Sequence, residues 1–169
     1  ETTWYGSNAR AYQMVNEQKM VGDIRKIVFH TGHPGPKEIG CSQEFLEWLT
    51  DPVLNGAGAL TDFGCYGANI ATWLMQGETP LTVTAVTQQI KPQLYPRVDD
   101  EATIVLTYKK AQVIIQASWN WPYSRKDMEL YGVTGFVFCK DGTNMLLKEN
   151  EKKEIQSLTA ERLPNDRND

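Results

Sequence analysis

The sequence lacks any long hydrophobic run, and no stretch approaches the roughly 18 apolar residues that a membrane-spanning helix needs. It also lacks an excess of positive charge, since 17 Lys and Arg residues stand against 21 Asp and Glu residues, for a net charge of -4. A nucleic-acid partner would select a basic surface, so that class of partner is excluded. No secretory leader is recognisable. We therefore expect a cytoplasmic protein with no membrane partner, although export of a longer parent stays open.

Cysteine and histidine are scarce. The three cysteines, Cys41, Cys65 and Cys139, are odd in number and far apart, so the sequence predicts no disulfide framework and favours a reducing compartment. The two histidines are His30 and His33, and residues three apart on an extended strand point to opposite faces. Because no cysteine or carboxylate stands at metal-ligand spacing from them, no metal site is predicted.

Nucleotide-binding motifs are missing as well. The phosphate-binding P-loop does not occur, and the segment GAGALT has Thr61 where the third glycine of a dinucleotide fingerprint belongs. The residues before it read as a helix and a loop, whereas the fingerprint needs the strand of a βαβ unit. We therefore expect Gly56 and Gly58 to shape a turn, and we predict that this fragment alone binds neither NAD nor NADP.

What is present is the composition of one globular domain, with 169 residues of which 41% are hydrophobic and 22% charged. Ser7 is positioned to cap a helix that ends at Gly22. A β-rich, alternating run follows at 24–31, and then a loop rich in Gly and Pro. Ser42 is positioned to cap a second helix, and a third helix is predicted from about Thr61 to Gln76.

After Gly77 the pattern changes to strand-like runs joined by short polar turns, which favour antiparallel pairing. Six such runs lie at 81–90, 102–109, 112–120, 127–133, 135–140 and 144–148. Helices followed by a series of strands predict an α+β fold, with a large, mainly antiparallel open sheet and helices packed on one face. We expect the domain to span 1–147 and residues 148–169 to form a charged, frayed tail.

The third predicted helix has a polar stripe and an apolar stripe. An acid, a phenol, an amide and an indole share one stripe, at Asp62, Tyr66, Asn69 and Trp73. A second, apolar stripe can face the sheet, at Phe63, Ile70 and Leu74. The first stripe suits a polyhydroxylated ligand beside an aromatic platform. The alternative is that Asp62 caps the helix and Tyr66 only packs, and periodicity alone does not decide between the two.

Two other segments hold candidate binding residues. The loop HPGPK could line a pocket through His33 and Lys37, although a solvated loop is the alternative for Lys37. The run SWNWPYSRK clusters Trp119, Trp121, Tyr123 and Arg125, and tryptophan together with arginine can stack on sugars or carboxylates. The same residue types are enriched at subunit interfaces, so a pocket and an interface are equally compatible with this run.

Residues 58–66, GALTDFGCY, resemble the G-[GA]-L-x-D-x-G-x-[HY] motif of the glucose–fructose oxidoreductase, inositol dehydrogenase and rhizopine-catabolism (Gfo/Idh/MocA) family. The segment 4–26 resembles the linking helix and first strand of that family's C-terminal domain. WLTDPVLNGAGAL resembles the approach to the motif, and ELYGVTG resembles a late Y-G-x-x-G strand. The resemblance runs from about Thr2 to Leu147.

This resemblance implies the substrate-binding and dimerisation domain of an NAD(P)-dependent oxidoreductase that acts on a CH–OH group of a sugar, cyclitol or related polyol. The N-terminal Rossmann domain, which would hold NAD or NADP, is not in this fragment. The fragment looks truncated at both ends and is expected to be inactive alone. The family also implies a homo-oligomer, with a dimer formed through the open face of the sheet. The alternative is a non-catalytic sugar-binding or scaffolding module.

By the same resemblance, Asp62 and Tyr66 are the catalytic pair, with Tyr66 in the place of the proton-transferring residue, where many members carry His. Asn69 matches a position often held by Asp and joins Lys37, Trp121 and Arg125 as substrate-binding candidates. A free tyrosine has a pKa of about 10, so it needs a nearby cation to act near neutrality. The resemblance assigns that cation to a lysine of the missing domain, which the glycines of this helix would allow to approach.

Overall fold

The computed structural model describes residues 2–163. The helices are α1 (Gly6–Tyr12), α2 (Gln43–Leu49) and α3 (Ala59–Leu74). The strands are β1 (Ile24–Gly32), β2 (Thr82–Gln88), β3 (Glu101–Thr107), β4 (Gln112–Ser118), β5 (Arg125–Gly132), β6 (Phe136–Cys139), β7 (Asn144–Lys148) and β8 (Gln156–Thr159). All six predicted runs after Gly77 are strands, and the predicted strand at 24–31 is β1. None of the helices within 2–163 is long and apolar enough to cross a membrane.

The strands form one eight-stranded sheet in the order β2-β3-β4-β1-β5-β6-β7-β8. β1 and β4 are parallel, and every other neighbouring pair is antiparallel. A parallel pair needs a long crossover, and the segment with α2 and α3 contributes to it. The predicted α+β fold with a mainly antiparallel open sheet is therefore confirmed.

Burial alternates along the central strands. On β4, Val113, Ile115 and Ala117 are fully buried, while the residues between them are half-exposed. Since alternate residues of a strand point to opposite faces, the buried set defines a helix face and the half-exposed set an open face. The core lies between the helix face and the three helices, and it includes the predicted packing stripe of α3 at Phe63, Ile70 and Leu74.

The two glycines in the middle of α3 serve this packing. A Cβ atom at Gly67 would lie 2.6 Å from Ile115 Cγ2, and one at Gly64 would lie 2.9 Å from Ile104 Cδ1. Both glycines are buried against the sheet. The expectation that they leave room for a cofactor domain is therefore wrong, because the neighbour that approaches them is the sheet of this same chain.

The first helix differs from the prediction. Its N-cap is Tyr5, with no side-chain hydrogen bond, and Ser7 lies inside α1. The Ser7 hydroxyl is buried and donates to the carbonyl oxygen of Asp141 at 2.6 Å, so it ties the helix to the turn after β6. The chain continues from α1 into a π-helical turn at Gln13–Glu17. The cap at Ser42 is confirmed, since its hydroxyl accepts from the Phe45 amide at 3.3 Å.

The C-terminal segment also differs. Residues 148–169 were expected to be a frayed tail, but Gln156–Thr159 forms β8 and pairs with β7. The strand is short and lies at the edge of the sheet, and only Leu158 packs against the core. One apolar residue in four gives too little alternation to be recognised in a charged sequence. The part of the predicted tail at 164–169 lies outside the described residues.

Candidate functional site

The candidate site lies where β1 and β4 end. Because these strands are parallel, their carboxyl ends, Gly32 and Ser118, lie side by side at one edge of the sheet. The first turns of α3 belong to the same region, since Phe63 packs with Ala117 and Trp119 at the end of β4. The loop after β1, the segment after β4 and the start of α3 therefore converge at this edge.

Asp99 holds the start of α3 in place. Its carboxylate accepts from the Gly58 amide at 2.9 Å and from the Leu60 amide at 2.8 Å, and its carbonyl oxygen accepts from the Ala59 amide at 3.1 Å. A Cβ atom at Gly58 would lie only 1.8 Å from that carbonyl oxygen, so glycine is needed for this approach. The helix terminus that a dinucleotide phosphate would use already carries a carboxylate, so these residues do not fit a nucleotide.

Asp62 follows in the first turn of α3, and the indole N–H of Trp119 donates to its carboxylate at 2.9 Å. Trp119 is fully buried directly after β4, where its ring packs 4.9 Å from the ring of Tyr95. Asp99 caps the helix, which was one of the roles considered for Asp62. The Asp62 carboxylate is half-exposed and is oriented by a rigid indole, as a group that positions a ligand requires.

Tyr66 lies one helical turn after Asp62 and is half-exposed. The ammonium nitrogen of Lys126 lies over its ring, 5.8 Å from the centroid. Lys126 is the second residue of β5 and pairs with Thr31 near the carboxyl end of β1. Sequence reasoning missed Lys126, because the strand was predicted to begin at Asp127 and no face could be assigned to the residue before it.

His33, in the loop after β1, lies against the same part of α3, with the centroids of its ring and the Phe63 ring 4.8 Å apart in an edge-to-face arrangement. Its Nδ1 accepts from the Gly35 amide at 3.0 Å, so the proton of the neutral ring is on Nε2. Burial lowers the pKa of His33, and the charges of Lys126 and Lys91 lower it further. At neutral pH the ring is therefore an uncharged donor through Nε2.

The loop after β1 is fixed by a lysine that the sequence analysis did not single out. The Lys91 ammonium donates to the carbonyl oxygens of Pro34 and Trp119, each at 2.6 Å, and to Glu38 Oε1 at 2.5 Å. It thereby ties the loop to the segment that holds Asp62. The predicted candidate Lys37 is exposed in the same loop, where its backbone amide donates to the hydroxyl of Tyr95 and its carbonyl oxygen accepts from the Gly40 amide.

The second half of the polar stripe on α3 does not join the first. The side-chain amide of Asn69 donates to Thr3 Oγ1 at 2.8 Å, and the Trp73 ring stacks on Tyr12 with centroids 4.5 Å apart. Both residues pack against the N-terminal segment of the chain. The site residues brought together by α3 are therefore Asp62 and Tyr66.

Trp121 and Arg125 lie on the open face of the sheet. Arg125 is the strand neighbour of Lys126, so its side chain points the opposite way and binds the carboxylate of Asp127 through Nε and Nη2. The Trp121 ring lies 6.4 Å from the ring of His30, on the same face. These two substrate-binding candidates are therefore separated by the sheet from Asp62 and Tyr66, which leaves the interface alternative for them.

A group of potential metal ligands also lies on the open face. Ligand atoms of His30, Asp127 and Glu129 lie within 4.8 Å of one another. Asp127 already binds Arg125 and lies 2.8 Å from His30 Nδ1, while Tyr131 donates to Glu129 at 2.8 Å. Burial would raise the pKa of Asp127, but the hydrogen bonds from His30 and Arg125 outweigh it and the pKa is lowered. A cation would have to displace the guanidinium, so the group is an ion-pair network.

Solved structures with the same fold are oxidoreductases. An inositol dehydrogenase homolog from Azotobacter vinelandii, complexed with NAD+, has a TM-score of 0.79 and 17% identity over 94% of this chain and 42% of its own. An aldose-aldose oxidoreductase from Caulobacter crescentus, complexed with glycerol, has a TM-score of 0.76 and 20% identity over 97% of this chain and 47% of its own. A levoglucosan dehydrogenase, in complex with NADH and levoglucosan, has a TM-score of 0.76 and 18% identity over 94% of this chain and 45% of its own.

This chain thus spans less than half the length of these three proteins. No curated protein matches the sequence. The sequence model of the GFO/IDH/MocA C-terminal domain matches residues 9–138, which is most of the chain. The match includes α3 with Asp62 and Tyr66, and the strands from β1 to β5. On this match, with the fold and topology described above, the chain belongs to the GFO/IDH/MocA C-terminal domain family.

Proposed function

We propose that this chain is the substrate-binding and dimerisation domain of an NAD(P)-dependent oxidoreductase acting on a CH–OH group of a sugar, cyclitol or related polyol. The observation that carries the proposal is the pairing of Asp62 and Tyr66, one helical turn apart at the carboxyl ends of the parallel strands, with Asp62 oriented by Trp119. The inositol, glycerol and levoglucosan named for structures of the same fold support the substrate class.

The chemistry divides between the two residues. Oxidation of an alcohol removes the hydroxyl proton while a hydride leaves the same carbon, and the nucleotide supplies the hydride acceptor when it is bound to the rest of the enzyme. Tyr66 takes the hydroxyl proton as the phenolate and becomes the neutral phenol. Asp62 accepts a hydrogen bond from a substrate hydroxyl and so fixes the orientation of the carbon, while Trp119 fixes Asp62. His33, uncharged at neutral pH, can donate to another hydroxyl through Nε2.

The test is a pair of substitutions in the full-length parent enzyme. Tyr66→Phe keeps the ring and removes only the hydroxyl, so we expect kcat to fall about 10²–10⁴-fold, or about 3–5 kcal/mol of barrier, with the fold retained. Asp62→Asn should raise KM and lower kcat, because both substrate binding and turnover are weakened. Tyr123→Phe, at an exposed position of the turn before β5, is the matched control and should leave turnover unchanged. Full turnover of Tyr66→Phe, with the chemical step rate-limiting, would make Tyr66 a packing residue.

The dimerisation part of the proposal depends on the open face of the sheet. An apolar row of half-exposed side chains crosses β3, β4 and β1 on this face. It consists of the register partners Val105, Ile114 and Val28. A second apolar group on the same face consists of stacked aromatic rings on β5 and β6, including Phe136 and Phe138 with centroids 4.3 Å apart. Within residues 2–163 the helices pack on the opposite face, so a second copy is the proposed cover for this surface.

A further inference from the structure

The feature that carries a further inference is the position of Lys126 beside Tyr66. Strand alternation sends Arg125 and Asp127 to the open face and leaves Lys126 on the helix face. There its ammonium nitrogen lies 5.8 Å from the centroid of the Tyr66 ring. The Lys126 charge also acts on His33. Burial lowers the pKa of His33, and the charge of Lys126 contributes to lowering it further.

Among residues 2–163, the other titratable groups that pack on Tyr66 or line a pocket with it are acidic or uncharged at neutral pH. They are Asp62 on α3, His33 in the loop after β1, and Tyr5, Asp127, Cys139 and Asp141, which line a small pocket with Tyr66. Burial raises the pKa of Cys139 to about 12, so its thiol is neutral. His33 is uncharged at neutral pH and above, because its pKa is lowered.

The carboxylates in that set have partners of their own. Asp62 accepts from Trp119, and Asp127 accepts from Arg125 on the open face. Asp141 accepts from the amides of Thr143 and Asn144 in the turn before β7. Each of these carboxylates therefore accepts hydrogen bonds from other groups, and the cation that lies over the Tyr66 ring is Lys126.

We propose that Lys126 is a positioning residue for Tyr66, which stabilises the phenolate, the form of Tyr66 that can take a proton. This rests on the proposed role of Tyr66 in proton transfer. A cation above an aromatic ring interacts favourably with the neutral phenol, but only weakly when partly exposed. The same cation interacts more strongly with the phenolate, which carries a full negative charge. The difference between the two favours loss of the proton.

The domain would therefore supply its own cation to the acid–base residue. In this chain, the coupling between Lys126 and Tyr66 can consequently be measured without nucleotide, substrate or turnover.

The experiment is a tyrosinate absorbance titration of this chain. The difference between the unsubstituted chain and Tyr66→Phe isolates the Tyr66 signal. We expect Lys126→Met to lower the acid dissociation constant of Tyr66 about tenfold, as loss of a nearby opposite charge does. Lys126→Arg should keep the effect, because a guanidinium stays charged above the pH at which lysine loses its proton. Lys148→Met, on the open face of β7, is the matched control and should change nothing.

A second readout shows that the substitution acts locally in a folded chain. Because the Lys126 charge contributes to lowering the pKa of His33, Lys126→Met should raise that pKa, which proton NMR follows with His33→Gln for assignment. If circular dichroism shows that Lys126→Met is unfolded, Lys126→Gln is used in its place. An unchanged Tyr66 titration in a folded Lys126→Met or Lys126→Gln variant overturns the proposal. If the Tyr66 titration shifts in Lys126→Met, and Tyr66→Phe nevertheless keeps full turnover in the full-length enzyme, the coupling is supported and the proposed function is contradicted.

Discussion

Arg125 and Lys126 are neighbours in sequence but belong to different environments, since the first lies on the open face of the sheet and the second on the helix face. On the open face, Arg125 neutralises Asp127 in an ion-pair network. On the helix face, Lys126 lies over the ring of a candidate proton-transferring tyrosine. Strand alternation thus places two similar basic residues in different surroundings, and we propose that only Lys126 takes part in the chemistry of the site.

The largest expected effect is on the free energy of unfolding, and it compares a residue packed on the helix face with its neighbour on the open face. Ile115 is fully buried on the helix face, where it contacts α3 at Gly67, whereas its neighbour Gln116 is half-exposed on the open face. We expect Ile115→Ala to lower the free energy of unfolding by about 3 kcal/mol, because it removes buried contacts and leaves a cavity. Gln116→Ala should cost less than about 1 kcal/mol. Urea unfolding followed by circular dichroism measures both, and equal costs would contradict the division into faces.

That division was only partly predictable from the sequence. The run at 112–120 is continuously apolar and β-rich, and the apolar stripe at Phe63, Ile70 and Leu74 is periodic, so the strand β4 and the packing side of α3 were predicted correctly. The exposure of one face of β4 was not predicted, because a continuously apolar run reads as buried on both faces. Asp62 and Tyr66 were identified from spacing and from the family motif, and the structure places them at one edge of the sheet. The role of the glycines was not predictable, because Gly67 contacts Ile115, a residue 48 positions later in the sequence.

The partners of the site residues were also beyond prediction. Asp62 binds Trp119 across 57 positions, and Lys91 connects three loops through two backbone carbonyls and one carboxylate. Such contacts depend on where loops converge after folding, and local sequence carries no periodic signal for them. Lys126 was missed for a related reason, since the face of a strand residue is known only once the first residue of the strand is known.

The second prediction concerns association through the open face. Ile114 is the centre of the apolar row between Val105 and Val28, so an aspartate there would bury an unpaired carboxylate in the proposed dimer. We expect Ile114→Asp to raise the dimer dissociation constant at least about 100-fold, or about 2.7 kcal/mol, while the monomer stays folded. Val83→Asp, which is exposed on the opposite face of the edge strand β2, is the matched control. Sedimentation velocity checks the result, and an equally strong dimer of Ile114→Asp would rule out this interface.

The smallest effect tests the ion-pair network by pH. The pKa of Asp127 in the folded chain is lowered, because hydrogen bonds from His30 and Arg125 outweigh its burial. Its contribution to stability is therefore fully present above the unfolded pKa of about 4 and is lost as the pH falls through the lower folded value. We expect Asp127→Asn to lower the free energy of unfolding by about 1–2 kcal/mol near neutral pH.

The difference between the parent and Asp127→Asn should shrink as the pH falls below about 4, because the parent then loses the same charge. Urea unfolding at a series of pH values measures this, with Asp23→Asn at an exposed position before β1 as the control, which should cost little at any pH. The titration of Tyr66 should shift less in Asp127→Asn than in Lys126→Met, since the Asp127 carboxylate is bound by Arg125 on the open face. If Asp127→Asn left stability unchanged but abolished turnover of the parent enzyme, the open-face network would belong to the chemistry, and the separation of roles between Arg125 and Lys126 would be wrong.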